Sequence, residues 1–190
     1  MVAVTVVDGR TRRGERNREA IIDALIDCYD DGILRPSVQE VADRAGVSAR
    51  SVHNHFVDVE ALRAEVAQRQ WERCAPYAGA LDRSRPVGER IDELVARRAA
   101  IYEEVTPVRR AALLSVDRSP TIAANLARLD RALRRQIEHA FDLDADALDA
   151  VDAAASWDVW NRLRRAQGCS VARARRILTR TISSLIEGAA

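Results

Sequence analysis

Apolar residues recur at helical spacing along most of the chain. Near the N-terminus this spacing predicts a helix over 15–31, with Ile22, Leu25 and Ile26 on its apolar stripe. Shorter helices are predicted over 38–45 and 49–56, and a fourth starts at Asp58. Later segments predict helices over 87–104, 107–116, 120–141, 145–167 and 170–187. Because sustained strand alternation is absent, we expect an all-α fold.

Capping residues mark the short helices between positions 37 and 56. Ser37 and Glu40 have the spacing of a capping box, which satisfies backbone N–H groups at a helix start. Gly46 can adopt the positive φ that ends one helix, and Ser48 can cap the next. These residues predict two short helices joined by a tight turn.

The predicted helices fall into two blocks. The stretch from Pro76 to Pro86, which contains Gly79 and Ser84, separates them and is a candidate domain boundary. We expect a flexible N-terminal arm over 1–14 and a three-helix helix-turn-helix domain over 15–62. A helical bundle for ligand binding and dimerisation is expected over 63–190.

The segment 38–56 has the spacing of a helix-turn-helix. At 100° per residue, Val52 and Phe56 share one face of the second helix, whereas Arg50 and Asn54 lie about 160° and 200° away from Val52. Arginine and asparagine are the side chains that hydrogen-bond guanine and adenine edges in the major groove. The pattern therefore predicts DNA binding through the face opposite the core.

Three short motifs carry a family resemblance: Ala42-x-x-x-Gly46-Val47-Ser48, Val52-x-x-His55-Phe56 and Glu60-x-Leu62. Together they resemble the N-terminal domain of TetR-family transcriptional regulators. The resemblance implies a homodimer that binds a palindromic operator in double-stranded DNA. It also implies a small-molecule effector that binds the C-terminal domain and releases a repressor from DNA.

The predicted DNA contacts depart from the family pattern at two positions, since His53 and Val59 stand where Tyr and Lys are common. An N-terminal arm containing Arg12, Arg13 and Arg16 can compensate by reaching the phosphate backbone, although a solvated tail is the alternative. The full predicted set is Arg12, Arg13, Arg16, Ser37, Ser48, Ala49, Arg50, Ser51, His53, Asn54 and His55.

Charge leaves a rival interpretation open. All 30 basic residues are Arg, yet the net charge is only +1. Residues 1–75 contain 11 Arg against 13 Asp plus Glu. This charge balance is compatible with DNA binding through a local basic patch. It is equally compatible with a helical protein-interaction module whose degenerate helix-turn-helix no longer binds DNA.

Aromatic and apolar residues of the second half suggest two further sites. The effector pocket is predicted at Tyr102, Phe141, Trp157, Trp160 and Asn161, with core filling as the alternative. Apolar stripes on the last helices predict a dimer interface. Its residues are Leu148, Val151, Ala155, Val159, Leu163, Val171, Ala174, Leu178 and Leu185.

Other classes of function find no support in the sequence. Cys28, Cys74 and Cys169 lack metal-ligand spacing and are expected to be reduced, buried thiols. Neither a phosphate-binding glycine loop nor a nucleophile motif is present, so we expect neither an enzyme nor a cofactor or metal. Without a leader or a membrane-spanning run, the protein is expected in the cytoplasm and away from membranes.

Overall fold

The computed structural model describes residues 9–56 and 59–189, and all regular structure in these ranges is helical. Short 3₁₀ turns lie at Ala75–Ala78 and Val116–Arg118, and a π turn lies at Arg162–Ala166. The α-helices are α1 (Gly9–Asp30), α2 (Val38–Ala45), α3 (Ala49–His55), α4 (Val59–Cys74), α5 (Val87–Leu113), α6 (Pro120–Ala140), α7 (Ala145–Ala154), α8 (Trp157–Asn161) and α9 (Val171–Glu187). The all-α prediction is confirmed.

The chain divides into two compact units. The first unit extends to Arg69 and includes Pro107–Asn125, whereas the second contains Gln70–Thr106 and the chain from Leu126 onward. The sequence predicts boundaries after residues 14 and 62, and it offers the looser stretch Pro76 to Pro86 as a candidate boundary between the two helical blocks. The structure divides the chain elsewhere because α4, α5 and α6 each continue through a boundary, where no loop composition marks it.

The first unit has its own apolar core. Helix α1 packs on α2 and α3. The core of this unit contains side chains predicted to face inward, such as Ile22, Leu25 and Phe56, together with Ile21, which was not predicted, and residues of α4. They include Ile21, Ile22, Leu25, Ile26, Val41, Ala42, Val52, Phe56, Leu62 and Val66. Burial of this cluster sets the orientation of the short helices α2 and α3.

The caps of α2 confirm the sequence prediction. The Ser37 hydroxyl accepts a hydrogen bond from the Glu40 N–H at 3.2 Å, and the Ser37 N–H donates to the Glu40 carboxylate at 2.7 Å. Hydrogen bonds from the Ser37 backbone and hydroxyl lower the pKa of Glu40. The charged carboxylate therefore stabilises the folded state above its unfolded pKa, and this contribution disappears as the pH falls through the lowered folded value.

Removal of this cap should destabilise the first unit. We expect Ser37→Ala to lower the free energy of unfolding by about 1 kcal/mol, because the Glu40 N–H loses its acceptor. The pKa of Glu40 should rise toward its ordinary value, since one of its donors is lost. Urea unfolding and an NMR titration of Glu40 measure the two effects. Ser184→Ala, at an exposed position of α9, is the control, and an equal loss of stability there would contradict the capping role.

Helix α5 corrects the prediction of two helices over 87–104 and 107–116. It is continuous, with Pro107 inside it. Proline lacks the N–H that would donate to the carbonyl four residues earlier, which usually ends a helix. Here the Thr106 hydroxyl donates to the Tyr102 carbonyl at 2.5 Å and accepts from the Trp157 indole N–H at 2.9 Å. Side-chain contacts therefore support the helix beside the proline.

The single helix predicted over 145–167 is also corrected. It is interrupted after Ala154, and α8 begins with Ser156 as its N-cap. In an unbroken helix the Val159 N–H would donate to the Ala155 carbonyl. Instead, Val159 donates to the Ser156 hydroxyl at 3.4 Å, and the Ala155 carbonyl accepts from the Tyr102 hydroxyl at 2.7 Å. A tertiary hydrogen bond thus occupies the acceptor at the break.

The second unit has a separate core that includes the buried thiols of Cys74 and Cys169 and the buried indoles of Trp157 and Trp160. All three cysteines of the chain are free and buried, as predicted. Burial raises the pKa of Cys74 to about 11, so its thiol is protonated near neutral pH.

Candidate nucleic-acid interface

The turn between α2 and α3 has the geometry that the sequence predicted. Gly46 has φ 67°, and its N–H bonds the end of α2. The Val47 N–H donates to the Ala42 carbonyl at 3.0 Å, and Ala42 itself is fully buried where the helices approach. The Ser48 hydroxyl then accepts from the Ser51 N–H at 3.1 Å and caps α3. These contacts hold α3 rigidly against α2.

The outer face of α3 is polar and exposed. Val52 and Phe56 are 5% and 4% exposed, and they anchor the helix in the core. Arg50, His53 and Asn54 are exposed, and none has a hydrogen-bond or ion-pair partner in the part of the chain that the structure describes. Unpartnered donors on a rigid helix are available to base edges and phosphates.

The remaining predicted contacts on α2 and α3 have different surroundings. Ser37 and Ser48 are exposed, but their hydroxyls serve as caps. Ala49, Ser51 and His55 are half-buried. The structure therefore brings the predicted residues into one region, with Arg50, His53 and Asn54 as its freest side chains.

The N-terminal arm is corrected in part. Residues 1–8 lie outside the described part of the chain, but the residues from Gly9 onward are helical and belong to α1. Arg12, Arg13 and Arg16 are exposed on this helix, whose Gly14 lies near the His55 ring. Because no Pro or capping residue starts a helix at 15, α1 continues toward the N-terminus and carries these arginines beside α3.

Arg18 has a structural role that the sequence did not reveal. Its guanidinium donates to the His55 carbonyl at 3.2 Å and to the Glu65 carboxylate at 2.7 Å. The same group lies 4.8 Å from the centroid of the Phe56 ring. Arg18 thus ties α1 to the end of α3 and to α4.

Comparison with known proteins gives structural matches only. Neither protein-family models nor curated protein sequences match the chain. Among solved structures, a TetR-family transcriptional regulator from Streptomyces coelicolor has a TM-score of 0.75 and 20% identity, and the match covers 92% of this chain and 82% of that one. The chain has the TetR-family fold.

Two other solved structures share the fold of this chain. A transcriptional regulator from Rhodococcus sp. Rha1 matches with a TM-score of 0.67 and 17% identity, covering 93% of this chain and 97% of that one. The multidrug binding protein EbrR, solved with imidazole, matches with a TM-score of 0.65 and 21% identity, covering 96% and 97%. The fold predicted from the three short motifs is confirmed.

The aromatic residues predicted to line an effector pocket are buried in the core of the second unit. Tyr102, Phe141, Trp157 and Trp160 are at most 5% exposed. The Trp160 indole donates to the Glu103 carboxylate at 2.9 Å. The Tyr102 hydroxyl donates to the Ala155 carbonyl at the helix break, and the Trp157 indole donates to the Thr106 hydroxyl beside Pro107. We interpret these four residues as core. Asn161 is half-buried.

The predicted dimer interface is corrected for five of its residues. Val151, Ala155, Leu163, Ala174 and Leu178 are buried in the chain's own core, so they offer little surface to a second chain. The apolar periodicity faces inward because α7 and α9 pack against each other. Four residues are only partly buried: Leu148, Val159, Val171 and Leu185.

Residues 9–56 and 59–189 contain neither a metal-binding cluster nor a membrane-spanning helix. In these ranges, the acidic, His and Cys side chains form no group of three or more that could hold a metal ion. None of the described helices combines the length and apolar character needed to cross a membrane.

Proposed function

We propose that this protein is a homodimeric, sequence-specific DNA-binding transcriptional regulator, and that it is a repressor released from its operator by a small-molecule effector. The observation that carries the DNA-binding proposal is the outer face of α3. Arg50 and Asn54 are exposed there, one helical turn apart, on a helix fixed by its caps and by Val52 and Phe56. This arrangement suits contact with adjacent base pairs in the major groove.

Dimerisation is proposed because α3 has only 7 residues. One such helix contacts too few bases for useful specificity, whereas two helices on a two-fold axis contact both halves of a palindrome. The homodimer would place the two copies of α3 in successive major-groove turns, roughly 34–36 Å apart. A rearrangement of either subunit would change this spacing and weaken binding.

The outer faces of α7 and α9 support one mode of dimerisation. Helix α9 exposes Arg176 and Arg180, and α7 exposes Asp146 together with Asp149, whose carboxylate already pairs with Arg134 of α6 at 2.5 Å. The two helices lie side by side, so a surface with an acidic stripe adjoins one with a basic stripe. Such a surface is complementary to itself under a two-fold rotation, which brings α7 of one copy against α9 of the other.

The effector proposal is supported by the fold shared with EbrR, a protein described as multidrug binding and solved with imidazole. It is also supported by a second unit with its own core, which can respond to a ligand independently of the helix-turn-helix. Coupling then requires that the effector have different affinities for the DNA-bound and free states.

The central test is selection of bound sequences from a random pool of double-stranded DNA. We expect the selected sequences to converge on an inverted repeat with half-sites about one helical turn apart, because a two-fold dimer imposes its symmetry on the site. The affinity for that repeat should fall steeply with salt. Failure to enrich any sequence, at low salt as well as at high salt, would instead favour an interaction module with a degenerate helix-turn-helix.

A further inference from the structure

A cleft of about 240 Å³ lies within the second unit, away from the aromatic residues of its core. One wall is formed by Trp71 and by small residues between positions 75 and 80. The other wall is formed by Ala132, Arg135, Gln136 and His139 of α6. None of these residues belongs to the effector pocket that the sequence predicts.

Gln136 connects the two walls of the cleft. It is 2% exposed, and its amide nitrogen donates to the carbonyls of Tyr77 at 2.9 Å and Gly79 at 2.5 Å. Its amide oxygen accepts from the Arg98 guanidinium at 2.6 Å. Because Arg98 offers only donors, this contact orients the amide and directs its nitrogen toward the opposite wall. The cleft is therefore held open by a buried network.

Positive charge dominates beneath and beside the cleft. Arg98 is 1% exposed and donates to Gln136 and to the Leu133 carbonyl, both uncharged groups. Burial lowers the pKa of Arg98, although Tyr102 and Asp152 oppose this effect. The low-dielectric surroundings leave the potential of a buried cation poorly screened.

The charged groups along the rim add to this potential. Arg135 and His139 are exposed and have no ion-pair partner within the described residues. The neighbouring carboxylates are already paired, since Glu138 lies 3.5 Å from Arg134 and Asp142 lies 2.6 Å from Arg83. The rim consequently offers the unpaired guanidinium of Arg135 and the ring N–H of His139 to an anion.

Trp71 gives the cleft a preference for flat groups. Its ring is half-buried, and the Arg128 guanidinium carbon lies 4.0 Å from the ring centroid. Alanine and glycine residues form most of the adjoining wall, so little side-chain volume opposes a ring placed there. The volume suits a ligand of about ten non-hydrogen atoms, smaller than a drug-sized molecule.

We propose that this cleft binds a small planar carboxylate, with its ring against Trp71 and its carboxylate at Arg135 and His139. The inference rests on the proposed function in that it identifies the chemical class of the effector. Binding itself needs no DNA. A test in the absence of DNA can therefore fail or succeed independently of the DNA-binding proposal.

The test uses the ¹⁵N-labelled full-length protein and benzoate as the probe. We expect benzoate to shift the Trp71 indole resonance with saturation, whereas the indoles of the core residues Trp157 and Trp160 shift little. Arg135→Gln should weaken binding roughly tenfold, because it removes a charge-assisted contact. Arg131→Gln is the matched control, since Arg131 is an exposed arginine on the same helix that does not line the cleft. Neutral benzamide should bind at least about tenfold more weakly than benzoate.

Three results would overturn the proposal. The first is a Trp71 shift that stays linear in benzoate concentration. The second is equal weakening in Arg135→Gln and Arg131→Gln, which would indicate general charge attraction. The third is equal affinity for benzamide and benzoate, which would show that the carboxylate is not recognised.

Discussion

Arg50→Ala should relax sequence preference at one symmetric pair of positions in the selected DNA, and Asn54→Ala should do so at another. Both side chains are exposed on the face of α3 opposite Val52 and Phe56. A bidentate contact of arginine to guanine, or of asparagine to adenine, contributes roughly 1–3 kcal/mol of discrimination. Each variant should therefore lose about tenfold to a hundredfold in preference at its own position.

Phosphate contacts should behave differently from base contacts. The double variant Arg12→Ala/Arg13→Ala should weaken binding to all sequences and flatten the dependence of affinity on salt, because released counterions scale with neutralised phosphates. Arg50→Ala should leave that salt dependence nearly unchanged. Arg175→Ala, an exposed arginine on α9, controls for loss of charge alone.

Titrations with single-base variants of the selected site, at several salt concentrations, separate these effects. If Arg50→Ala leaves preference intact at every position, the outer face of α3 is not the surface that contacts bases. If the double arginine variant keeps the wild-type salt slope, the exposed arginines of α1 do not touch phosphate.

The helix-turn-helix could be predicted because its determinants lie close together in sequence. Ser37 and Glu40 form their cap within one turn, Gly46 alone supplies the positive φ, and Val52 with Phe56 fixes which face of α3 is buried. Local capping and a single apolar stripe decide where α2 and α3 begin and end and which face is buried, whereas packing on α1 sets their orientation.

The sequence predictions for the second unit were wrong where contacts between residues far apart in the chain decide the structure. Pro107 indicates a helix end, but side-chain hydrogen bonds from Thr106 and Trp157 support the turn beside it. The break after Ala154 depends on the Tyr102 hydroxyl, which is far away in sequence. Neither partner can be identified from periodicity, because periodicity describes one helix at a time.

Periodicity is also insufficient to locate the candidate sites. An apolar stripe on α9 predicts a buried face, yet it cannot distinguish the chain's own core from a second subunit. Leu178 is 1% exposed within one chain, so the stripe is already covered. Likewise, the cleft depends on the pairing of Gln136 with Arg98 and with the carbonyls of the opposite wall, which only tertiary structure reveals.

Leu178→Glu should therefore unfold the second unit rather than produce folded monomers. A carboxylate placed at this buried position would cost about 4 kcal/mol or more, because no cation or donor replaces its hydration. Circular dichroism should show a loss of helix, and urea unfolding should lose its native transition. A folded monomer with full helix content would show instead that Leu178 lies between subunits.

Charge reversal on the outer face of α9 tests the proposed dimer without disturbing the core. Arg176 and Arg180 are exposed and have no ion-pair partner among the described residues, so Arg176→Glu/Arg180→Glu should keep its helix content. The introduced carboxylates of α9 would repel the carboxylates of α7 in the second copy. The dimer affinity should therefore fall roughly tenfold to a hundredfold. Sedimentation at low salt should show monomers, and adding Asp146→Arg should restore part of the dimer because it provides a new cation opposite the introduced carboxylates. If the double variant sediments as the wild type, or if Asp146→Arg restores nothing, the two helices do not face each other across the two-fold axis.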